Sequence, residues 1–349
     1  MESKERVRRA IRHETVDRVP AAFGAVQPVV DRLLREYQYQ SVDQLYERYQ
    51  IDIIPAEAVY IGPPLKSYRN ADGELVEETY WGFEKTWNIT DHDRYSITTS
   101  FPLDGVESIK QVDAASFPDP DWFDYSAIQE TCRRHKDKAI IVGHEGPFQM
   151  VTNLIPMDQF FVLMMDEPET AHRILERMHE FEMQYYERMF QAAEGGIDIL
   201  RPHDDYGTQI SLLFSVDMWK EFFEQNTREL VELAHRHGAF YQQHSCGAVG
   251  PLIPEFIRIG VDVLEPIQKV AGLELETLRE KYKGQIAFHG GIDTQWLLPS
   301  GTPEMVRQES ERWIRVLGEN GGYILMASQS FETDVPTENI EAVYAANRQ

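Results

Sequence analysis

The chain has 349 residues, 42% of them hydrophobic and 26% charged, an ordinary globular balance that supplies a sizeable core and excludes a disordered chain. With 34 Lys plus Arg against 58 Asp plus Glu, the formal charge is -24, so nucleic-acid phosphates and anionic membranes are repelled. The two cysteines, Cys132 and Cys246, are too few for a disulfide framework, the start Met1-Glu-Ser-Lys-Glu-Arg6 is charged and helical, and no apolar run reaches the ~20 residues of a membrane span. A cytoplasmic protein with reduced thiols is expected.

After a leading helix, short apolar runs alternate with longer amphipathic stretches, the pattern of parallel strands joined by crossover helices. Strands are expected at 19–23, 51–54, 139–142, 197–200, 239–242, 261–264, 285–288 and 323–326. Between the second and third, residues 68–87 contain Asn70-Ala-Asp-Gly73 followed by alternating residues, which predicts a β-hairpin excursion. Phe160, Phe161, Met164 and Met165, in the stretch 148–165, read as core or helix cover. A long amphipathic helix is expected over 169–193. Another over 216–237 stops at Gly238, a good C-terminal cap. A third, over 302–317, opens on Thr-Pro-Glu, which supplies an N-cap, a proline at the first position and an early acid. Eight strands and no Gly/Ser-rich linker predict a single α/β domain over 1–349: a (β/α)8 TIM barrel with an N-terminal helix and one hairpin excursion.

In such a barrel the reactive groups follow the strands. The strand ends carry Arg201-Pro-His-Asp-Asp205, His244-Ser-Cys246, Glu265-Pro-Ile-Gln268, His289-Gly-Gly-Ile-Asp293 and Ser328-Gln-Ser-Phe-Glu332. Alternate residues leaving a strand point the same way, and imidazole with thiolate suits zinc. His244 and Cys246 therefore form the sharpest signal, against the plain alternative of a polar strand end with an inert thiol. Catalytic zinc needs three protein ligands, so a third must come from elsewhere. Asp204 and Asp205 could bind a cation, orient a histidine or act as acid and base; the alternative is a solvated turn. Glu145, in Gly143-His-Glu-Gly-Pro147, is either a ligand or acid facing the same cavity or a loop acid beside a turn. Gly290 and Gly291 would let a ligand or backbone approach, with turn chemistry the safer explanation.

These motifs, taken in order, resemble the uroporphyrinogen decarboxylase superfamily, in particular its branch of corrinoid-dependent methyltransferases and O-demethylase components. The resemblance runs through Thr15-Val-Asp-Arg-Val-Pro20, Trp81-Gly-Phe83, Asp205-Tyr-Gly-Thr-Gln209, His244-Ser-Cys-Gly-Ala-Val-Gly-Pro-Leu-Ile-Pro254, Phe288-His-Gly-Gly-Ile-Asp293 and Asp334-Val-Pro-Thr-Glu-Asn-Ile340. It implies that His244 and Cys246 help bind zinc, and that a methyl group moves between a small substrate and a corrinoid (cobalamin) carried by a partner protein. The thiol-methylating members offer a further cysteine near the last strand, where this chain has Gln329, a weak carboxamide ligand, so Glu145 or Glu265 is expected to complete the metal set with His244 and Cys246. The resemblance further implies catalytic roles for Asp205, His203 and His289, and substrate contacts from Asp204, Tyr206, Gln268 and Gln329. The arginine-rich clamp of the porphyrin decarboxylases is replaced here by Val19-Pro-Ala-Ala-Phe-Gly-Ala-Val-Gln27. Metal-free decarboxylation through Asp205 therefore ranks second, and a non-catalytic corrinoid or tetrapyrrole carrier third. A homodimer is compatible with the sequence.

Overall fold

The computed structural model describes residues 1–89 and 94–348. Its frame is a parallel sheet of seven strands in the order β1-β8-β9-β10-β11-β12-β13. These are β1 Ile53–Pro55, β8 Ala139–Val142, β9 Ile199–Leu200, β10 Phe240–His244, β11 Val263–Glu265, β12 Ala287–His289 and β13 Tyr323–Ile324. Adjacent strands pair in parallel register, for example Gln242 with Val263 and His244 with Glu265. Seven of the eight expected strands are therefore ladder strands.

The segment expected as a strand at 19–23 forms a single parallel bridge, Ala21 to Leu325. Its backbone nevertheless reaches both sheet edges, because Ala22 donates to Leu325 O at 3.0 Å and Asp52 N donates to Ala21 O at 2.8 Å. Proline at position 20 has no N–H to offer a ladder, which limits pairing there.

Most strands begin about two residues later than the apolar runs suggest. The run at 261–264, for instance, becomes β11 Val263–Glu265. In that run the leading residues lie below the ladder: Val261 is 3% exposed, Asp262 N donates to Tyr241 O, and Asp262 O accepts from Ala287 N.

The lower barrel interior is a layer of Ile53, Ile141, Ile199, Phe240, Val263 and Ile324, plugged by Val7 and Ile11 of the helix Ser3–Ile11. Buried acids fasten this end. Asp52 accepts from Arg6 at 2.7 Å and from Arg18 at 2.7 and 2.9 Å. Its Oδ2 also accepts the backbone N–H of Ala21 at 2.9 Å. Asp198 accepts from Arg8 at 2.9 Å and from Ile140 N at 3.0 Å.

The excursion is larger than a hairpin. Strands β3 Ser67–Arg69, β4 Leu75–Glu78, β5 Glu84–Ile89 and β6 Arg94–Ser100 form a four-stranded antiparallel sheet. The short pair β2 Val59–Tyr60 and β7 Phe123–Asp124 lies apart from it. The expected turn at Asn70-Ala-Asp-Gly73 joins β3 to β4, with Gly73 at φ 82 and Asn70 Oδ1 accepting from the backbone of Asp72 and Glu74.

The long helix runs Pro168–Ala193, and Pro303–Leu317 is capped by the Thr302 side chain. The helix expected over 216–237 is two helices, Val216–Phe222 and Glu224–Arg236. Phe223 breaks it at φ -120. This ring is fully buried against Phe148, Tyr206 and Phe214, so packing outweighs a continuous helix there. Phe148, Phe160 and Met164 lie in the core, as expected, while Met165 is 70% exposed. Among the described residues no helix is long and apolar enough to cross a membrane.

Candidate metal centre at the mouth of the sheet

His244 is the last residue of β10, and Cys246 follows two residues on. Alternation turns both toward the C-terminal mouth while Ser245, between them, is buried and accepts from the Tyr206 N–H at 2.9 Å. Asp205 arrives from the loop after β9. The Cys246 sulfur lies 3.5 Å from His244 Nε2, and an Asp205 oxygen lies 3.4 Å from the same nitrogen. Zinc bound at about 2.0–2.3 Å to nitrogen, oxygen and sulfur gives tetrahedral edges of roughly 3.3–3.8 Å. The two measured edges fall in that window, and the three donor atoms lie within 4.8 Å of one another. Among the described residues this is the one such cluster. The donor set thus fits zinc with a fourth position open.

The next shell orients the first. Glu265, at the end of β11, faces His244 Nδ1 at 3.2 Å, the carboxylate-to-imidazole contact that fixes the tautomer of a metal-bound histidine. Glu265 also accepts from Arg201 at 3.1 and 3.0 Å and from Gln242 Nε2 at 2.9 Å. Gln329 Nε2 donates to the Cys246 sulfur at 2.8 Å, and Gln268 Oε1 accepts the Gly247 N–H at 2.7 Å, pinning the loop that carries Cys246.

Burial disfavours charge on His244, but Glu265 and the bonds to Asp205 and Cys246 outweigh it and hold the imidazole well above its usual pKa. Burial raises the carboxyl pKa of Asp205, and His244 then more than reverses this, down to about 2. Burial likewise opposes ionised Glu265, which Arg201 and His244 hold well below the carboxylate range. A proton on His244 thus sits between acids, the place a bound cation would take over with release of that proton.

The structure brings together His244, Cys246, Asp205, His203, His289 and Gln329. The His203 ring lies tilted against His244 with centroids 4.9 Å apart, and burial, then Arg201 and His244, lower its pKa to about 3. His203, His289, His244, Arg201, Glu265 and Gln329 all line one cavity of about 540 Å³.

Other expected residues lie elsewhere. Glu145 bridges His203 through the backbone and is outside the three-donor cluster. Glu265, the other expected ligand, contacts His244 instead of joining the cluster. Asp204 is 1% exposed and accepts from the Tyr206 hydroxyl and from Gln149 N at 2.8 Å, partners other than those of Asp205. Burial raises its pKa to about 8. Tyr206 is enclosed by Phe148, Phe214, Trp219 and Phe223. A Cβ on Gly291, at φ 126, would meet the Trp313 ring at 2.2 Å, so that glycine serves packing. Sequence reading missed two hubs, Arg201 and Gln242. Both sit near strand ends on the inward side, a signal visible only once register is known.

A parallel sheet curled about a polar mouth, with an imidazole, a cysteine sulfur and a carboxylate converging there, defines an α/β-barrel-like protein with a metal-competent centre. Residues 99–349 match the family model for uroporphyrinogen decarboxylase (URO-D), and the chain belongs to that family. Among solved structures it is similar to a methyltransferase from Methanosarcina mazei, with 16% identity, a TM-score of 0.71, and 99% of this chain and 98% of that one covered. A D-psicose 3-epimerase from Clostridium cellulolyticum H10 aligns at 11% identity and a TM-score of 0.39, over 70% of this chain and 93% of that one. At these identities the likeness concerns the fold alone. No curated protein matches the chain by sequence.

Proposed function

We propose that the chain is a cytoplasmic zinc-dependent methyltransferase, one barrel domain over 1–349 with the segment around Ala21 as its eighth stave. It moves a methyl group from a small methoxylated or methylated compound to a corrinoid held by a partner protein. One observation carries the reading: Cys246 and Asp205 each place a donor 3.4–3.5 Å from His244 Nε2, all three donors within 4.8 Å of one another, beside a cavity of about 540 Å³. Zinc held there would supply Lewis acidity to the substrate heteroatom that carries the methyl group.

This reading gives Asp205 the place first expected of Glu145. The chain's own residues do the rest: Glu265 and Arg201 orient His244, Gln329 holds the sulfur, and neutral His203 faces the substrate cavity. The βα loops at the mouth are the surface on which the corrinoid partner docks. Asp204 and Tyr206 support the Asp205 loop from the core instead of touching substrate.

Metal analysis of the purified chain, with methyl transfer to free reduced cobalamin as the activity readout, tests the proposal. The expected result is one zinc per chain, lost in Cys246→Ala together with methyl transfer. Wild-type protein that binds no zinc from a metal-supplemented buffer would overturn it.

A further inference from the structure

Glu265 fixes more than His244. Its carboxylate only accepts, so the contact from Gln242 at 2.9 Å is made by the amide nitrogen, which turns the Gln242 carbonyl Oε1 toward His289 Nδ1 at 3.1 Å. That carbonyl also only accepts, so Nδ1 of His289 carries a proton. His289 is 1% exposed, and burial, against the pull of Glu265, lowers its pKa to about 4. The ring is neutral near pH 7 and has one proton to place. With that proton on Nδ1, Nε2 is a bare acceptor.

Nε2 of His289 is buried and has no hydrogen-bond partner among the described residues. Its residue lines the cavity that His244 also lines, and Nε2 of His203, another lining residue, is likewise buried without a partner among the described residues. A buried acceptor left unmet is costly, and most such atoms in folded proteins are met by protein or by a bound molecule. The same cavity has an apolar part of its wall, contributed by Phe23, Val30, Val42, Tyr46, Ile141 and Met326, alongside the polar Glu57 and Ser330. A guest with a hydrocarbon or aromatic body fits that wall.

We infer that the compound bound here offers a hydroxyl to His289 Nε2, making His289 a specificity-determining residue that selects a hydroxylated methyl donor over the same compound with its hydroxyl capped. The inference rests on the reading of this cavity as the methyl-donor site. It deepens that reading, because a site built to receive a donor group rejects analogues that lack one more strongly than it discriminates by size.

The test uses two compounds that differ by one donor, 2-methoxyphenol and 1,2-dimethoxybenzene, titrated calorimetrically into the zinc-loaded full chain. We expect 2-methoxyphenol to bind at least about tenfold more tightly, the value of one good hydrogen bond. The ratio falls to about one in His289→Phe and partly returns in His289→Gln, whose carbonyl again accepts. Nitrogen NMR of wild-type protein, which does not depend on variants folding, is expected to show His289 Nε2 unprotonated at neutral pH. Equal affinities, no binding by either compound, or a protonated Nε2 would each overturn the inference. Methyl transfer assayed alongside separates the two ideas: transfer without the preference removes the inference alone, and the preference without transfer removes the methyltransferase reading.

Discussion

The two ends of the sheet use the same chemistry to opposite effect. At the lower end Asp52, fully buried, is bonded to two arginines and a backbone N–H and sits beneath the helix Ser3–Ile11. At the mouth Glu265, 4% exposed, is bonded to an arginine, an amide and an imidazole. Both are buried acids made tolerable by charge and hydrogen bonds. The difference lies in what surrounds them. The partners of Asp52 are themselves satisfied, Arg6 by Asp17 and the Met1 carbonyl and Arg18 by backbone carbonyls. Around Glu265 the Nε2 atoms of His203 and His289, two residues that line the cavity, have no hydrogen-bond partner among the described residues. One end is closed and complete, as befits stability; the other is held open and incomplete, as befits binding.

The largest expected effect breaks the closed end. Asp52→Ala leaves Arg6 and Arg18 without their shared buried anion and should cost about 3–5 kcal/mol, read by denaturant unfolding. Zinc affinity of the protein that remains folded should be unchanged; a parallel loss of zinc affinity would mean that the two ends are not separable. Next, Glu265→Gln keeps the shape but removes the charge facing His244 Nδ1. It should weaken zinc binding by about 10–100-fold, the usual cost of losing an outer-shell partner, measured by competition with a chromophoric chelator. Unaltered affinity would deny Glu265 its orienting role. A smaller change is expected of Gln268→Leu, which removes the acceptor of the Gly247 N–H. The loop carrying Cys246 loosens, and zinc affinity should fall about tenfold or less, the worth of one hydrogen bond.

Legibility in the sequence follows the same divide. The closed framework was readable because hydrophobic periodicity is local: β8 Ala139–Val142 lies where its apolar run predicts, and the Thr302-Pro-Glu start caps its helix as expected. What periodicity could not supply is register. It shows neither that the segment around Ala21 pairs at one residue only, nor that Phe223 breaks a helix whose apolar spacing continues through it.

At the mouth, His244 and Cys246 were visible because alternate residues leaving one strand share a side. The third donor comes from another strand's loop. Sequence cannot say whether Asp204 or Asp205 faces inward, and a one-residue shift exchanges their fates. The structure turns Asp205 to the metal cluster and Asp204 into an aromatic core. Arg201 and Gln242 stayed hidden for the same reason, since their importance lies in meeting Glu265 from other strands, Gln242 from the neighbouring β10 and Arg201 from the end of β9 beyond it.

The smallest expected effect sharpens the comparison at the closed end through pH. His235, at the end of the helix Glu224–Arg236, meets Asp262 at 2.8 Å, and Asp262 also accepts the Tyr241 N–H at 2.7 Å. The bond to Asp262 outweighs partial burial and raises the His235 pKa above its ordinary 6.5. A raised histidine pKa means that the folded state holds the proton more tightly than the unfolded state does. The stabilisation is therefore complete below about pH 6.5 and is lost as pH climbs through the higher folded value. The His235 side chain is 43% exposed, so solvent screening keeps the contribution under about 1 kcal/mol. Unfolding of wild-type and His235→Gln protein should differ most below the ordinary histidine pKa of 6.5 and converge as the pH rises past the folded value. Metal affinity compared between the two proteins should be the same at each pH, since this histidine lies on the lower side of the sheet, away from His244. A His235→Gln difference that instead grows with pH would show that Asp262, and not the proton on His235, dominates the contact.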